Sequence, residues 1–453
     1  MPMTPSLSAV KKVCLVLTAV LSLGPAGPGA RAGSPSSQLP IAATHFKLKN
    51  GLQVILAEDY SLPVVSVAVT YRVGSAYDPP GRAGLAYLLE NLMFLGSDDV
   101  SQMQHIGFIN RAGGQLSASV EEDRTMFFQT VPSNQLALVL WLESDRMKSL
   151  QWSAAKVESS KSSLVEEVRQ RAVQNPYAAA MAAFDRLLYP DYALGHSTFG
   201  QENDLRSISE AEALDFFQTF YAPNNAVLCV SGSISKIKAR ELIARYFESI
   251  PRGKEPPPPP PAPRFVRSPW QGTFHELRAP VPGLLLGFRL DTPNPEDQYV
   301  LTILDYVLFH GRSSRLFKRL WQKERMIIQM EGGLERRGRL LAFRLFATCN
   351  NEVMVNRSLA AIFAELQRLK SSFISEEELA KAKNIFKMEY FKRLDSTLDK
   401  AVFLSNAFLD LKNFEDFPLE VDRYLRVTPQ QLVGLANRYF TQDNAVISMI
   451  STR

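Results

Sequence analysis

Three side chains on one short segment could act together chemically. In Gly84-Leu85-Ala86-Tyr87-Leu88-Leu89-Glu90-Asn91-Leu92, residues 87, 90 and 91 fall on the places of the inverted zinc motif His-x-x-Glu-His. Residues i and i+4 share one face of a helix, so imidazoles at 87 and 91 would grip a single metal. A carboxylate between them would polarise the metal-bound water. Here the two imidazole places hold Tyr87 and Asn91, and only Glu90, at the general-base place, is kept. Zinc takes His, Cys or carboxylate ligands, so the segment reads as a metal-site frame without its metal. Leu85, Leu88, Leu89, Leu92 and Leu95 also make a continuous apolar face at helical spacing. As a plain core helix, it would use Tyr87 to fill the metal cavity and Asn91 to bond locally.

The surroundings make the frame specific. A turn, Gly74-Ser75-Ala76-Tyr77-Asp78-Pro79-Pro80-Gly81-Arg82-Ala83, leads into it. Downstream come Gly113-Gly114-Gln115-Leu116-Ser117-Ala118, then Asp123-Arg124-Thr125, Asn175-Pro176-Tyr177, His196-Ser197-Thr198-Phe199-Gly200 and Phe220-Tyr221-Ala222-Pro223-Asn224-Asn225-Ala226. This series resembles the insulinase/pitrilysin/mitochondrial-processing-peptidase family of zinc peptidases, in its bacterial two-domain form, and runs over essentially the whole chain after the first 32 residues.

The resemblance implies further positions. The family's third ligand, a Glu 76 or 77 places after the second His, falls on Glu167. A supporting Glu seven residues earlier is replaced by Ser160. In the substrate-holding Asn-Ala pair, Ser117 stands for Asn and Ala118 is kept. Gly311-Arg312-Ser313-Ser314-Arg315-Leu316 matches a second-half block. The Arg and Tyr that follow it in many relatives fall on Trp321 and Ile328. Arg312 and Arg315 read more plainly as a helix-entry cap and solvated surface charge. Departures thus gather at the metal and substrate places. No cofactor is expected, zinc being the family's metal. Restoring both imidazoles should bring metal back, since Glu90 and Glu167 remain. Glu90, Glu167 and Asn91 could otherwise form an oxygen site for a hard cation, though with few charged ligands.

Composition sets the compartment. The chain has 453 residues and is 46% hydrophobic, enough for two cored domains. Lys11 and Lys12, the apolar run Val13 to Leu23, and Ala30-Arg31-Ala32 read as a secretory signal over 1–32. The apolar run is too short to span a bilayer, so no membrane anchor is expected after cleavage. Cleavage removes Lys11, Lys12 and Arg31, leaving 48 basic against 46 acidic residues, and nothing then calls for nucleic acid. Cys229 and Cys349 lie in apolar runs of different halves and read as core rather than a disulfide. The five His are scattered, so no alternative helical zinc pair is available.

Pro256 to Pro261 form a stiff spacer. The expected organisation is a signal peptide over 1–32, one domain over 33–250, a Pro-rich linker over 251–264 and a second domain over 265–453. The halves repeat: Ser209 to Val227 matches Thr428 to Val446 at a constant offset, each with a Ser/Thr-capped helix, terminal aromatics and a strand. The fold class expected is α+β, two homologous α/β-sandwich domains, each an antiparallel sheet with packed helices, closing as a clamshell. Loss of both His removes most metal affinity. The function expected is therefore a catalytically inactive relative in the periplasm or secreted. It would partner an active zinc-peptidase paralogue, or a second copy, or hold extended peptides against a sheet edge. The competing reading is an active metalloendopeptidase with atypical ligands.

Overall fold

The computed structural model describes residues 43–453, apart from 260–265, 293, 339, 373 and 412–413. The expected signal segment and cleavage site lie outside the described residues. Two sheets carry the fold. The first is six-stranded and built from β1 (Ala43–Lys47), β2 (Gln53–Glu58), β3 (Val64–Tyr71), β4 (Gln115–Val120), β5 (Thr125–Pro132) and β6 (Ala226–Gly232), in the order β1-β2-β6-β3-β5-β4. The second is five-stranded, from β7 (Trp270–His275), β8 (Gly283–Leu290), β9 (Ile327–Arg337), β10 (Leu340–Cys349) and β11 (Ala445–Ser451), in the order β7-β11-β8-β10-β9. The strands are rich in β-branched and aromatic residues, as the pleated surface favours. Pairing is antiparallel except β2 with β6 and β7 with β11, one parallel pair at the same place in each sheet. Cys229 on β6 and Cys349 on β10 are free, buried thiols in separate sheets.

The repeat is seen in detail. Helix Glu210–Phe220 starts with a capping box between Ser209 and Glu212, and helix Pro429–Tyr439 with one between Thr428 and Gln431. Each box satisfies two backbone N–H groups that the first turn leaves unbonded. A 3-10 turn follows each helix and leads into β6 or β11.

The halves also exchange helices. Helix Ala178–Leu188, from the first half, lays Ala180, Phe184 and Leu188 on Leu285, Phe346, Val446 and Ile450 of the second sheet. Helix Thr397–Asp410, from the second half, covers Ala68, Val227 and Cys229 of the first. Ser66 Oγ and Thr397 Oγ1 lie 2.8 Å apart in this seam. Arg337 Nη2 reaches Asp185 Oδ2 at 2.8 Å in the other. Each sheet is therefore closed by the opposite half.

Lys400 Nζ donates to Asp59 across the first seam. This bond, with the Ser61 donors, holds the Asp59 carboxyl down at about 2, from an ordinary 3.8. A depressed carboxyl adds stability above its unfolded value and loses it as pH falls toward the folded one. Asp59 therefore contributes roughly 2 kcal/mol at neutral pH, lost progressively between about pH 5 and 1. Asp59→Asn should lower unfolding free energy by about that much at pH 7 and by only a small part of it at pH 2. Denaturant titrations at the two pH values check this; an equal loss at both would show that charge plays no part.

Arg315 departs from the sequence expectation. Its side chain is 15% exposed, and Nη2 lies 2.7 Å from Glu378 Oε2, with Glu365 at 3.7 Å. It joins helices Glu352–Ser371 and Glu376–Lys392 instead of facing solvent.

Candidate functional site

Helix Leu85–Leu92 lies where the apolar spacing puts it, with Leu85, Leu88, Leu89 and Leu92 in the first core. Its start is built by the preceding turn. Gly84 takes the left-handed conformation (φ +100°), and its own position supplies no side-chain cap. Instead Asp78 accepts the N–H groups of Gly84 at 2.7 Å and Ala86 at 2.9 Å. Burial pushes the Asp78 carboxyl up to about 8, against the pull of these N–H groups. Gly200, also left-handed (φ +78°), sits against this entry, where a Cβ would collide with the Ala83 carbonyl.

Tyr87 is buried and points at helix Ala154–Gln174. Its hydroxyl is hydrogen-bonded to the Glu167 carboxylate. Burial first, and then the Glu167 charge, raise the phenol far above its usual range, so it stays protonated and donates. Glu167 Oε1 also accepts Arg171 Nη2 at 2.7 Å and Nε at 3.2 Å, one helical turn on. Arg171 stacks over the Phe199 ring at 3.9 Å, and Phe199 meets Tyr87 edge to face at 5.2 Å. Asn91 turns back, Nδ2 donating to the Tyr87 carbonyl at 3.1 Å. Glu90 is buried. Ser160 is buried two turns before Glu167 on the same helix.

This donor set does not fit zinc. Neither helix position 87 nor 91 offers an imidazole, and the remaining carboxylate of the trio, Glu167, is held by a phenol and a guanidinium. Of the oxygen site considered for Glu90, Glu167 and Asn91, the Asn91 amide nitrogen is turned onto the helix backbone and Glu167 is engaged by Arg171. Among the described residues, no three His, Cys, Asp or Glu side chains converge as a metal site.

Ser117 and Ala118 lie on β4, an edge of the first sheet against which the Tyr87 helix packs. Strand addition at such an edge needs only backbone groups. Trp321 and Ile328 are each 43% exposed, and neither carries a group that could replace Arg or Tyr. Between the halves opens a cavity of about 880 Å³. Arg124, Tyr306, His310, Arg336, Tyr390 and Glu420 are among its lining, and Tyr87, Glu90, Asn91 and Glu167 are not. Two members of the site cluster, Arg171 and Phe199, were not singled out as site residues by sequence reading. Arg171 had a signal, since an acid and a base at i and i+4 pair along a helix.

Comparison with known proteins decides the family. Residues 53–202 match the model described as Insulinase (Peptidase family M16), and residues 207–386 match the one described as Peptidase M16 inactive domain. The chain belongs to the insulinase family of peptidases. It is similar to zinc protease PqqE of Helicobacter pylori, 27% identical over 88% of this chain and 91% of that one. Its fold matches the crystal structure of a protease from Helicobacter pylori with a TM-score of 0.84, at 24% identity over 91% of this chain and 99% of the other. The periplasmic protease PqqL from Escherichia coli gives a TM-score of 0.74 at 17% identity, covering 92% of this chain and 48% of its own. These insulinase-family likenesses establish the two-domain α+β clamshell. The departures at 87, 91 and 160 are departures within that frame.

Proposed function

We propose that this chain is a non-catalytic insulinase-family protein of the periplasm, working as the partner subunit of an active zinc-peptidase paralogue. The observation that carries the reading is the Tyr87 hydroxyl on Glu167, with Arg171 on the same carboxylate. Hydrolysis in this family needs a metal-bound water, and a phenol and a guanidinium cannot hold one. The signal-like N-terminus and the fold shared with a periplasmic protease support the compartment. The open β4 edge and the inter-half cavity support retention of an extended peptide within the same role. A second reading, an active metalloendopeptidase with atypical ligands, draws on the similarity to a protein named zinc protease.

The mature chain, purified without chelator, is expected to carry no stoichiometric zinc and to leave unstructured peptides uncut. Elemental analysis with a peptide-digestion assay separates the readings; one tightly held zinc per chain with metal-dependent cleavage would establish the second. Affinity purification of the tagged chain from its own periplasm should recover a related chain with an intact His-x-x-Glu-His. A partner interface should bury about 1,200 Å² or more in total. Recovery of the chain alone would remove the subunit role.

A further inference from the structure

We propose that Arg171 is the resident cation of the degenerate site. Its guanidinium gives Glu167 the positive charge that a metal would give, and that charge, together with the loss of two imidazoles, keeps the position metal-free. This rests on the metal-free reading above and goes beyond it, because it assigns exclusion of metal to a residue outside the motif.

The first support is geometric. Two guanidinium nitrogens of Arg171 lie within 3.2 Å of Glu167 Oε1, and Phe199 stacks on the other side of the group. A dication brought to Glu167 would meet this fixed charge at close range. Restoring imidazoles at 87 and 91 leaves that obstacle in place. On this assignment, two His substitutions alone restore only weaker binding.

The second support is internal. Tyr87 lies 16 residues past Tyr71, the end of β3; Tyr306 lies 16 past Leu290, the end of β8. Glu167 lies 14 residues past its helix N-cap, Ser153; Glu389 lies 14 past the N-cap Ser375. Tyr306 Oη donates to Glu389 Oε2 at 2.6 Å, as Tyr87 does to Glu167. Arg393 follows Glu389 by four residues, as Arg171 follows Glu167, and its charge acts on Tyr306. The same Tyr, Glu and Arg thus stand at corresponding places in both halves. The segment matching the inactive-domain model contains Tyr306 and ends at 386, just before Glu389. The correspondence is confined to these three residue types: at the place of Asn91 the second half carries His310, whose Nδ1 lies 3.7 Å from Glu389.

Zinc binding to four chains tests the assignment: wild type, Arg171→Leu, Tyr87→His/Asn91→His, and the triple variant combining all three. The Arg171–Glu167 pair is partly exposed and contributes little to folding, so its removal should leave the chain intact, as circular dichroism will show. Zinc is titrated in competition with a chromophoric chelator. The triple variant should take one zinc per chain at least about tenfold more tightly than the double, the scale on which groups around metal ligands tune affinity. Equal affinity in the double and triple variants overturns the role of Arg171, and so does absence of binding in both. Zinc in the wild type would instead overturn the metal-free reading by itself. Should the leucine variant unfold, Arg171→Gln in the two-His background keeps a donor for Glu167 without the charge; it should show the same gain, and its failure to do so also overturns the assignment.

Discussion

Replacing Glu143 with alanine is expected to cost about 3–5 kcal/mol of stability, because it leaves a buried guanidinium without its counter-ion. Glu143 and Arg146 have side chains 1% and 3% exposed. Arg146 Nη2 and Gln129 Nε2 both donate to the same Glu143 oxygen. The other Arg146 nitrogens meet no oxygen among the described residues, and the group lies 4.0 Å from the Phe127 ring and 5.1 Å from Phe94. His105 stands at 3.3 Å from Gln129, held neutral by burial, which pushes it down to about 3. Phe94 lies just past the Tyr87 helix, so the cluster backs the degenerate site. The paired change Glu143→Leu with Arg146→Met should recover most of the loss, since apolar groups of similar size can replace a buried ion pair. Urea denaturation measures both. A cost below about 1 kcal/mol for Glu143→Ala would mean that the pair is solvated.

Arg124→Met is the second large expectation, at about 2–4 kcal/mol, together with loosening of the halves. Arg124 is 5% exposed. It donates to Asp123 at 2.9 Å, to Asn406 at 3.0 Å and to Asp410 at 2.7 Å. The last two lie on the exchanged helix. These partners outweigh burial and raise the guanidinium far above its usual value, so it is charged at every accessible pH. Asp123 and Asp410 are each about a third exposed, which reduces the cost below that of a fully buried pair. Hydrogen exchange should speed up in helix Thr397–Asp410 and in the β4–β5 turn before it does so in β6. Uniform protection would show that Arg124 does not join the halves. Arg124→Lys should fall between wild type and methionine, since one ammonium cannot serve three separated acceptors in the fork geometry.

What could be read from the sequence was local. The Ser209 and Thr428 caps and the aromatics that end their helices are set by neighbours a few residues away, so two related halves were legible. The Tyr87 helix was legible for the same reason, and the local Asn91 bond was expected. The exchange of helices was not. The apolar face of Ala178–Leu188 says that it must be buried, and nothing in its spacing says which sheet will bury it. Arg315 failed for the same reason: it reads as a surface charge until Glu378, 63 residues away, closes over it, and the Arg124 contact with Asp410, 286 residues away, was likewise out of local reach. The closure of the metal position on Glu167 lay between these cases, since the Arg171 pairing is local and the Phe199 and Tyr87 contacts are tertiary.

The exchanged helices set an order on biosynthesis. Every strand of the first sheet precedes residue 233 in the chain, yet the helix that covers it begins at Thr397. An N-terminal half released alone would keep Ala68, Val227 and Cys229 uncovered for as long as it existed. Such a fragment is expected to associate through that exposed apolar face instead of standing as a domain. The second half is in a better position: Ala178–Leu188 already exists when β8 emerges, so its sheet condenses onto a cover synthesised in advance.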